Sequence, residues 1–339
     1  MQRNTDIVNE IKKVEQSIQA IDFSGVIAKY RGDKICYSLS SGYADRSEKR
    51  LNNSETLFAT ASGTKLFTAL SIGILINEGK LTLDTPALHI APLPNPLLDT
   101  RMTVRHLLSH TSGFPDYLDE NLEVNGEIKL SIPNYTLKSP SDYLPLFPLT
   151  KNTNIPGENF KYNNGAFVYL ALMIEKRSSM SYAAFVRQRL LAPLGITRSG
   201  VYSLTALPNN TANGYYEDEG EWHTNIYKVP IQAGGDGGIF TTALDMKRLW
   251  EAFLNAEIFS ANLVNEFLTP VCCVRPELGI HYGLGVWLKL LQDGSYEPYV
   301  VGSDVGVSFK SSYNKDLHTF FFVVSNTSEG VWQLLKSIT

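Results

Sequence analysis

The start of the chain carries apolar residues at helical spacing, followed by two runs of β-forming residues. Over residues 6–20 the apolar positions recur at three- and four-residue steps, which predicts an amphipathic helix. Residues 23–30 and 35–42 are rich in β-forming side chains, and the turn signal Arg31-Gly32-Asp33 separates them. We therefore expect an opening helix followed by a β-hairpin.

A second helical pattern begins where a polar loop gives way to an apolar run. Leu66, Leu70 and Ile74 stand at four-residue steps after Lys65, and Gly79 has the position of a glycine that ends a helix. Further helical runs, separated by long connections rich in proline, asparagine and glycine, lie at 104–109, 162–176, 181–190 and 243–254. The middle of the chain is therefore predicted to be mostly helical.

The end of the chain returns to short β-type runs, which predict an antiparallel meander, and a helical pattern at 330–338 follows it. The β-type runs lie at 283–290, 296–302, 305–313 and 319–325. The predicted fold class is α+β, with an antiparallel sheet flanked by N- and C-terminal helices and a mostly helical inserted domain. We expect a discontinuous sheet domain (1–80 and 240–339) and a helical domain (81–239), with the active site in the cleft between them.

Composition excludes several classes of function. Hydrophobic residues make up 43% of the 339 residues, and the net charge of −4 with no basic run argues against a nucleic-acid partner. We expect no membrane span, and the N-terminus has no apolar stretch of signal-peptide length. Cys36, Cys272 and Cys273 form a poor disulfide framework, which fits a reducing compartment. The chain is therefore predicted to be cytoplasmic, although an exported form whose leader has been removed would have the same sequence.

Ser62 and Lys65 form a chemically informative pair at the start of the second helix. Residues three apart share a helix face, so the hydroxyl and the amine are expected to be neighbours. A desolvated lysine can act as a base toward a serine, and backbone N–H groups at a helix start can stabilise an oxyanion. A serine in this position is also an ordinary helix cap. The pair alone leaves both interpretations open.

Tyr162 and Asn164 flank a turn that leads into a predicted helix. A phenol beside a lysine can exchange protons with a serine hydroxyl and a leaving group. An asparagine amide can hold the lysine on one side and a substrate carbonyl on the other. The alternative is that Tyr162 is a core aromatic residue and Asn164 a helix cap.

Two other motifs give weaker evidence for a catalytic or binding site. His106 and His110 have the spacing of a zinc-binding pair, but no glutamate follows His106 and no third ligand is evident. We expect these histidines to anchor loops, with no metal and no cofactor in the protein. The glycine cluster at 234–238 lacks a phosphate-loop pattern, so we interpret it as tight backbone packing beside the cleft.

Together, Ser62-Gly-Thr-Lys65, Tyr162-Asn-Asn164 and the His106–Gly113 segment resemble the serine β-lactamase-like superfamily. Its nearest branch holds class C β-lactamases, low-molecular-weight penicillin-binding proteins (DD-peptidases) and related esterases. The resemblance implies that Ser62 is the acylated nucleophile and Lys65 its proton partner. It also implies that Tyr162 is the general base and then acid, and that Asn164 orients the substrate amide.

The family's third motif, usually Lys-Thr-Gly or His-x-Gly on an edge strand, is altered in this chain. Its best match is Gly302-Ser303-Asp304-Val305-Gly306, in which Ser303 replaces the basic residue and Val305 replaces a glycine. In this alignment Ser303 and Asp304 contact substrate, and Gly306 supplies the second oxyanion N–H. Without a positive charge here, a substrate that lacks a carboxylate is favoured.

The predicted function is that of a serine acyl-transfer hydrolase acting through an acyl-enzyme on Ser62, with a small-molecule or peptide substrate. A penicillin-binding-protein-like peptidase or an esterase ranks above a dedicated β-lactamase, because the altered third motif gives no reason to expect fast deacylation. The alternatives are a weak or silent member of the fold that binds a peptide or partner, and a zinc hydrolase that uses His106 and His110.

Overall fold

The computed structural model describes residues 2–118 and 130–338. Its helices are α1 (Gln2–Ala20), α2 (Thr64–Asn77), α3 (Ala87–Ile90), α4 (Val104–Leu108), α5 (Asn164–Ser178), α6 (Tyr182–Phe185), α7 (Ala243–Leu254), α8 (Ala261–Leu268) and α9 (Gly330–Ile338). Its strands are β1 (Gly25–Arg31), β2 (Lys34–Ser41), β3 (Tyr43–Asp45), β4 (Arg50–Leu51), β5 (Phe58–Ala59), β6 (Gly200–Val201), β7 (Tyr215–Asp218), β8 (Glu221–Thr224), β9 (Ile239–Thr241), β10 (Cys272–Arg275), β11 (Ile280–Tyr282), β12 (Trp287–Leu290), β13 (Tyr296–Asp304), β14 (Val307–Asn314) and β15 (Thr319–Ser325).

The main sheet is built from both ends of the chain. Within residues 2–118 and 130–338 it contains eight strands in the order β10-β11-β12-β13-β14-β15-β1-β2, and every neighbouring pair is antiparallel. The hairpin predicted near the start is β1 and β2, and the meander predicted near the end is β12 to β15. The predicted α+β class is confirmed.

Helices α1 and α9 cover one face of this sheet. Each helix has an apolar side, and burying these sides against alternate residues of the strands forms a separate small core. This core consists of Val14, Ile18, Phe23, Ile27, Tyr37, Val323, Val331 and Leu334. The terminal helices therefore flank the sheet as the hydrophobic pattern predicts.

Helix α2 lies on the opposite face, inside the larger core. Residues 64–75 are all buried, because α2 packs against α5 and shares the larger hydrophobic core with residues of the sheet. A helix that is enclosed in this way is apolar nearly all round rather than amphipathic. Its N-terminal end, which carries Ser62 just before it, therefore opens between the sheet and the helical part.

Three elements near the end of the chain were not predicted: α8, β10 and β11. The two strands are short and lie at the edge of the sheet, where half-exposed positions give a weak periodic signal. The run at 283–290 forms a strand only from Trp287. Gly285 before it adopts a left-handed φ of 76°, and its N–H donates to the Leu108 carbonyl at 2.8 Å, so the chain turns there.

Among residues 2–118 and 130–338, no helix is both long and apolar enough to cross a membrane. The division into domains at residues 1–80 with 240–339 and at 81–239 stays a prediction. Residues 119–129 of the predicted helical domain lie outside the described residues.

Strand β13 has an open edge that positions the site. It pairs with β12 only from Tyr296 to Tyr299, whereas its pairing with β14 continues to Asp304. The last part of β13 therefore presents one edge to the region in front of α2.

Candidate active site

Ser62 lies on a single 3₁₀ turn, Ala61–Gly63, that leads directly into α2. The preceding residue, Ala61, has a φ of 44°, which is a costly backbone conformation for a residue other than glycine. The turn is held by Thr60, whose N–H and hydroxyl both donate to the carbonyl of Ile239 at 2.9 Å. Strain of this kind often accompanies functional residues, and here it points to Ser62.

Lys65 joins three groups of the site through its ammonium. Its Nζ donates to Ser62 Oγ at 2.9 Å, to Asn164 Oδ1 at 2.7 Å and to the carbonyl oxygen of Asp236 at 2.9 Å. The residue is only 2% exposed, so these contacts are made away from bulk water. The helical spacing predicted the pairing of Ser62 with Lys65, and the structure brings Asn164 to the same ammonium.

Tyr162 lies beside this ammonium. Its ring centroid is 4.9 Å from Lys65 Nζ. The ring of His110 packs against it at 4.5 Å between centroids, and the ring of Trp287 stacks on it at 6.2 Å with a 15° interplanar angle. The phenol is therefore held in one orientation next to the lysine.

Asn164 begins α5 and is fixed by a carboxylate that the sequence analysis missed. The N–H groups of Asn164 and Gly165 donate to Asp116 Oδ2 at 2.7 Å and Oδ1 at 2.8 Å. Burial raises the pKa of Asp116 to about 6, and these backbone donors oppose the rise. Because Asp116 is remote in sequence from α5, no local pattern identifies it as the cap of that helix.

Asp236 extends the site behind Lys65. Its carbonyl accepts from Lys65, and its carboxylate accepts from the Tyr117 hydroxyl at 2.6 Å. Burial raises the pKa of Asp236, while Lys65 and the Tyr117 hydrogen bond act to lower it. The surrounding glycines allow close packing, since a Cβ on Gly235 would lie 2.6 Å from the Cβ of Ala171. The glycine cluster thus packs tightly and also delivers a polar residue to the cleft.

The two histidines have separate structural contacts. His110 Nδ1 accepts from the Asn163 N–H at 3.1 Å, and its Nε2 lies 3.1 Å from the Tyr282 hydroxyl. Burial, followed by the charge of Lys65, holds the pKa of His110 well below its usual range, so the ring is neutral. His106 Nδ1 accepts from the Thr103 N–H at the start of α4. Across residues 2–118 and 130–338, no group of three or more side chains is arranged to hold a metal ion.

The third motif requires a correction, because Gly302 is the glycine that lies against the nucleophile. A Cβ on Gly302 would lie 2.8 Å from Ser62 N and even closer to the Thr60 carbonyl oxygen. Gly306 lies in the turn after β13, and its N–H donates to Ser328 Oγ at 2.9 Å. The prediction that Gly306 supplies the oxyanion N–H was therefore wrong.

The side chain of Ser303 was also placed wrongly. Successive residues of a strand point to opposite faces, and Gly302 faces Ser62. Ser303 therefore points away from the cleft, and its Oγ accepts from Trp332 Nε1 of α9 at 2.9 Å. The side chain of Ser303 does not contact substrate.

The backbone of Ser303 is directed toward the cleft instead. Asp304 and Val307 close a two-residue turn, so their N–H and C=O groups pair with each other. The neighbouring residue, Ser303, then directs its N–H to the open edge of β13. Because Gly302 brings this edge against Ser62 N, the N–H groups of Ser62 and Ser303 form a candidate oxyanion hole.

One family model and several known proteins are similar to this chain. The family model described as Beta-lactamase matches residues 11–270. Penicillin-binding protein 4* of Bacillus subtilis (strain 168) is 31% identical over 287 residues, which cover 78% of this chain and 59% of that protein. Teichoic acid D-alanine hydrolase of Staphylococcus aureus (strain MRSA252) is 26% identical over 268 residues, covering 76% of this chain and 61% of that protein.

A solved structure extends the similarity to nearly the whole fold. The penicillin binding protein from Bacillus halodurans superposes with a TM-score of 0.86 at 36% identity, covering 96% of this chain and 98% of that chain. The chain spans only about 60% of the length of the two curated relatives, at 59% and 61%.

Proposed function

The chain belongs to the beta-lactamase family, and we propose that it is a serine hydrolase that transfers acyl groups through an acyl-enzyme on Ser62. The observation that carries this proposal is the ammonium of Lys65, which donates to both Ser62 Oγ and Asn164 Oδ1. A serine that only caps a helix does not require a buried lysine that is hydrogen-bonded to its hydroxyl. The strained turn at Ala61 supports the same role.

We assign the general base to Tyr162. Lys65 Nζ already donates to Ser62 Oγ, Asn164 Oδ1 and the Asp236 carbonyl, so we give Lys65 the role of a charged neighbour rather than of the base. Its charge beside the Tyr162 ring stabilises a phenolate, which takes the Ser62 proton as Oγ attacks the substrate carbonyl. The bond from carbon to Ser62 Oγ forms, the bond to the leaving group breaks, and Tyr162 passes the proton to the leaving group. Water then hydrolyses the ester by the reverse sequence of proton transfers.

The N–H groups of Ser62 and Ser303 hold the negative charge of the tetrahedral intermediate. One donor of this kind contributes about 2.7–4 kcal/mol to lowering the barrier, or roughly 10²- to 10³-fold in rate. Asn164 is positioned to orient the substrate, because Asp116 fixes its backbone and Lys65 fixes its side-chain oxygen.

We propose a peptidase or esterase substrate rather than a β-lactam as the natural substrate. The open edge of β13 carries Val300, Gly302 and Ser303, and none of these residues supplies the positive charge that recognises a carboxylate. Losing such a charged hydrogen bond costs about 1.5–3 kcal/mol of binding. The names of the two curated relatives, a penicillin-binding protein and a teichoic acid D-alanine hydrolase, are compatible with a serine enzyme that transfers acyl groups.

The test is covalent labelling followed by intact-protein mass spectrometry. The wild type, Ser62→Ala and the control Ser54→Ala, at an exposed serine outside the site, are incubated with a fluorescent penicillin and with p-nitrophenyl acetate. We expect an adduct or ester turnover in the wild type and in Ser54→Ala, and neither in Ser62→Ala. Labelling that persists in Ser62→Ala would refute the assigned nucleophile. If the wild type reacts with neither probe, the binding-protein alternative replaces the enzyme.

A further inference from the structure

His110 contacts the segment that carries Tyr162 through both its backbone and its side chain. The carbonyl of His110 accepts from the Lys161 N–H at 2.9 Å, and its Nδ1 accepts from the Asn163 N–H at 3.1 Å. Between these two bonds the imidazole packs against the Tyr162 ring, with 4.5 Å between the two centroids. The residues on both sides of Tyr162, and the ring of Tyr162 itself, are therefore held by one histidine.

The backbone of His110 has an unusual conformation. Its φ is 58°, in the left-handed region that residues other than glycine seldom occupy. In this conformation the carbonyl and the ring of His110 contact the same short segment, 161–163. Because strained backbone of this kind tends to occur at active sites, the conformation of His110 points to a role beyond loop packing.

The second ring nitrogen of His110 anchors the imidazole to the sheet. Nδ1 accepts a hydrogen bond, so the proton of the neutral ring is on Nε2. Nε2 then donates to the Tyr282 hydroxyl at 3.1 Å, and Tyr282 is the last residue of β11. Both residues are 1% exposed, so bulk water does not compete for these bonds. His110 therefore connects the sheet to the segment that leads into α5.

His106, four residues earlier, makes the same kind of bond at a different place. Its Nδ1 accepts from the Thr103 N–H at 3.3 Å, and the residue is half-buried. This bond caps the start of α4, whereas the bond at His110 Nδ1 is made beside Tyr162. The two histidines therefore separate an ordinary structural bond from one that reaches the general base.

The position of the Tyr162 phenol matters most when the leaving group departs. In the proposed reaction Tyr162 takes the Ser62 proton and passes it to the leaving group, and proton transfer of this kind contributes about 10²- to 10⁴-fold to the rate. A strongly basic leaving group needs that proton, whereas a weakly basic one departs as an anion. A displaced phenol should therefore slow the reaction more when the leaving group is more basic.

We propose that His110 is the positioning residue of the general base, and that its bond from Nδ1 to the Asn163 N–H holds the Tyr162 phenol within reach of the leaving group. This inference rests on the proposed function. His110 itself exchanges no proton with the substrate. The Ser62 proton passes through Tyr162 to the leaving group, while the bond from the acyl carbon to Ser62 Oγ forms and the bond to the leaving group breaks.

The test compares two acetyl esters that form the same acyl-enzyme. The leaving group of p-nitrophenyl acetate is weakly basic, and that of phenyl acetate is more basic. The value of kcat/KM is measured for both esters, and their ratio is the readout, because a ratio does not depend on the fraction of folded enzyme in a preparation.

The variants differ in whether they keep the acceptor. In His110→Asn the amide oxygen lies near the position of Nδ1, and asparagine tolerates a left-handed backbone. In His110→Gln the amide is one carbon farther out and reaches toward the position of Nε2 instead. The matched control is His106→Gln, which removes the same kind of acceptor from the start of α4.

We expect His110→Gln to favour p-nitrophenyl acetate over phenyl acetate about 10-fold more strongly than the wild type does, because it loses part of the proton transfer from Tyr162. His110→Asn and His106→Gln should keep the wild-type ratio to within about threefold. A wild-type ratio in His110→Gln would overturn the proposal. An equal change of the ratio in His110→Asn, or in His106→Gln, would also overturn it.

Ser62→Ala tests the proposed function separately with the same esters. A wild type that hydrolyses neither ester, or an activity that Ser62→Ala retains, would remove the proposed function and this inference with it. An enzyme that needs Ser62 but whose ratio is unchanged in His110→Gln keeps the proposed function, and only the positioning role of His110 is lost.

Discussion

Replacing Gly302 with alanine tests the closest approach between the sheet and the nucleophile. The added methyl would lie 2.8 Å from Ser62 N and closer still to the carbonyl oxygen of Thr60. Both neighbours are backbone atoms, so no side-chain rotation relieves the contact. An ordinary separation is about 3.5 Å or more, which means that β13 and the Ser62 turn must move apart by about 1 Å.

Two effects follow from that movement. Overpacking of this kind destabilises a protein by about 1–3 kcal/mol. A displacement of about 1 Å also separates the N–H groups of Ser62 and Ser303, and misplacement on this scale lowers a catalytic rate by roughly 100-fold. We therefore expect Gly302→Ala to fold with a lowered melting temperature and to acylate about 100-fold more slowly than the wild type.

The assay is the rate of acylation by a neutral ester, measured together with thermal unfolding. Gly200→Ala is the matched control, because Gly200 is also in a strand and its added methyl would lie at an ordinary 3.4 Å from the Tyr202 ring. The control should acylate at the wild-type rate. Wild-type acylation in Gly302→Ala would show that the open edge of β13 does not form the oxyanion site.

Two further predictions concern Ser303 and Asp116. Ser303→Ala should retain activity within about twofold, because the Ser303 side chain faces Trp332. Ser303→Pro removes the backbone N–H and should lower kcat by roughly 10²- to 10³-fold. Equal activity in the two variants would contradict the assignment of the Ser303 N–H as an oxyanion donor. The pKa of Asp116 rises from 3.8 to about 6 on folding, so its protonated form contributes stability that is fully present below pH 3.8 and is lost as the pH rises through 6. Chemical denaturation of the wild type should therefore show that the free energy of unfolding falls by about 3 kcal/mol between pH 3.8 and pH 6. The fall should be smaller in Asp116→Asn. An unchanged pH profile in the variant would contradict the shifted pKa of Asp116.

Local pattern was sufficient to predict the longest helices and strands and part of the site. The spacing of Ser62 and Lys65 places them on one helix face wherever that helix lies, and their hydrogen bond follows from the helix geometry. Tyr162 and Asn164 stand at the start of a helix that the periodicity identified. That Asn164 reaches Lys65 across 99 positions of sequence was suggested only by what an asparagine amide can bind, because no local pattern brings the two residues together.

Contacts between segments that are far apart in the chain could not be predicted from local sequence patterns. Asp116 caps α5 from 48 and 49 positions away, and an isolated aspartate gives no signal of that partner. The register of β13 against the Ser62 turn is likewise a tertiary contact. Since the side-chain period of a strand is two, an error of one residue exchanges its two faces, which is why the side chain of Ser303 was assigned to the cleft.

Which residues of β13 face the cleft has a chemical consequence, because the substrate carbonyl and the charge of the cleft depend on different residues of the strand. With Gly302 inward, Ser303 contributes only its N–H, a donor that binds any acyl oxygen whatever the substituents. The next residue of the same parity is Asp304, so the exposed end of this strand face carries a carboxylate. Shifting the strand by one residue would turn Ser303 inward and Asp304 toward α9, which leaves a polar but uncharged side chain at this point of the strand. The register of one strand therefore decides which of its side chains face the cleft.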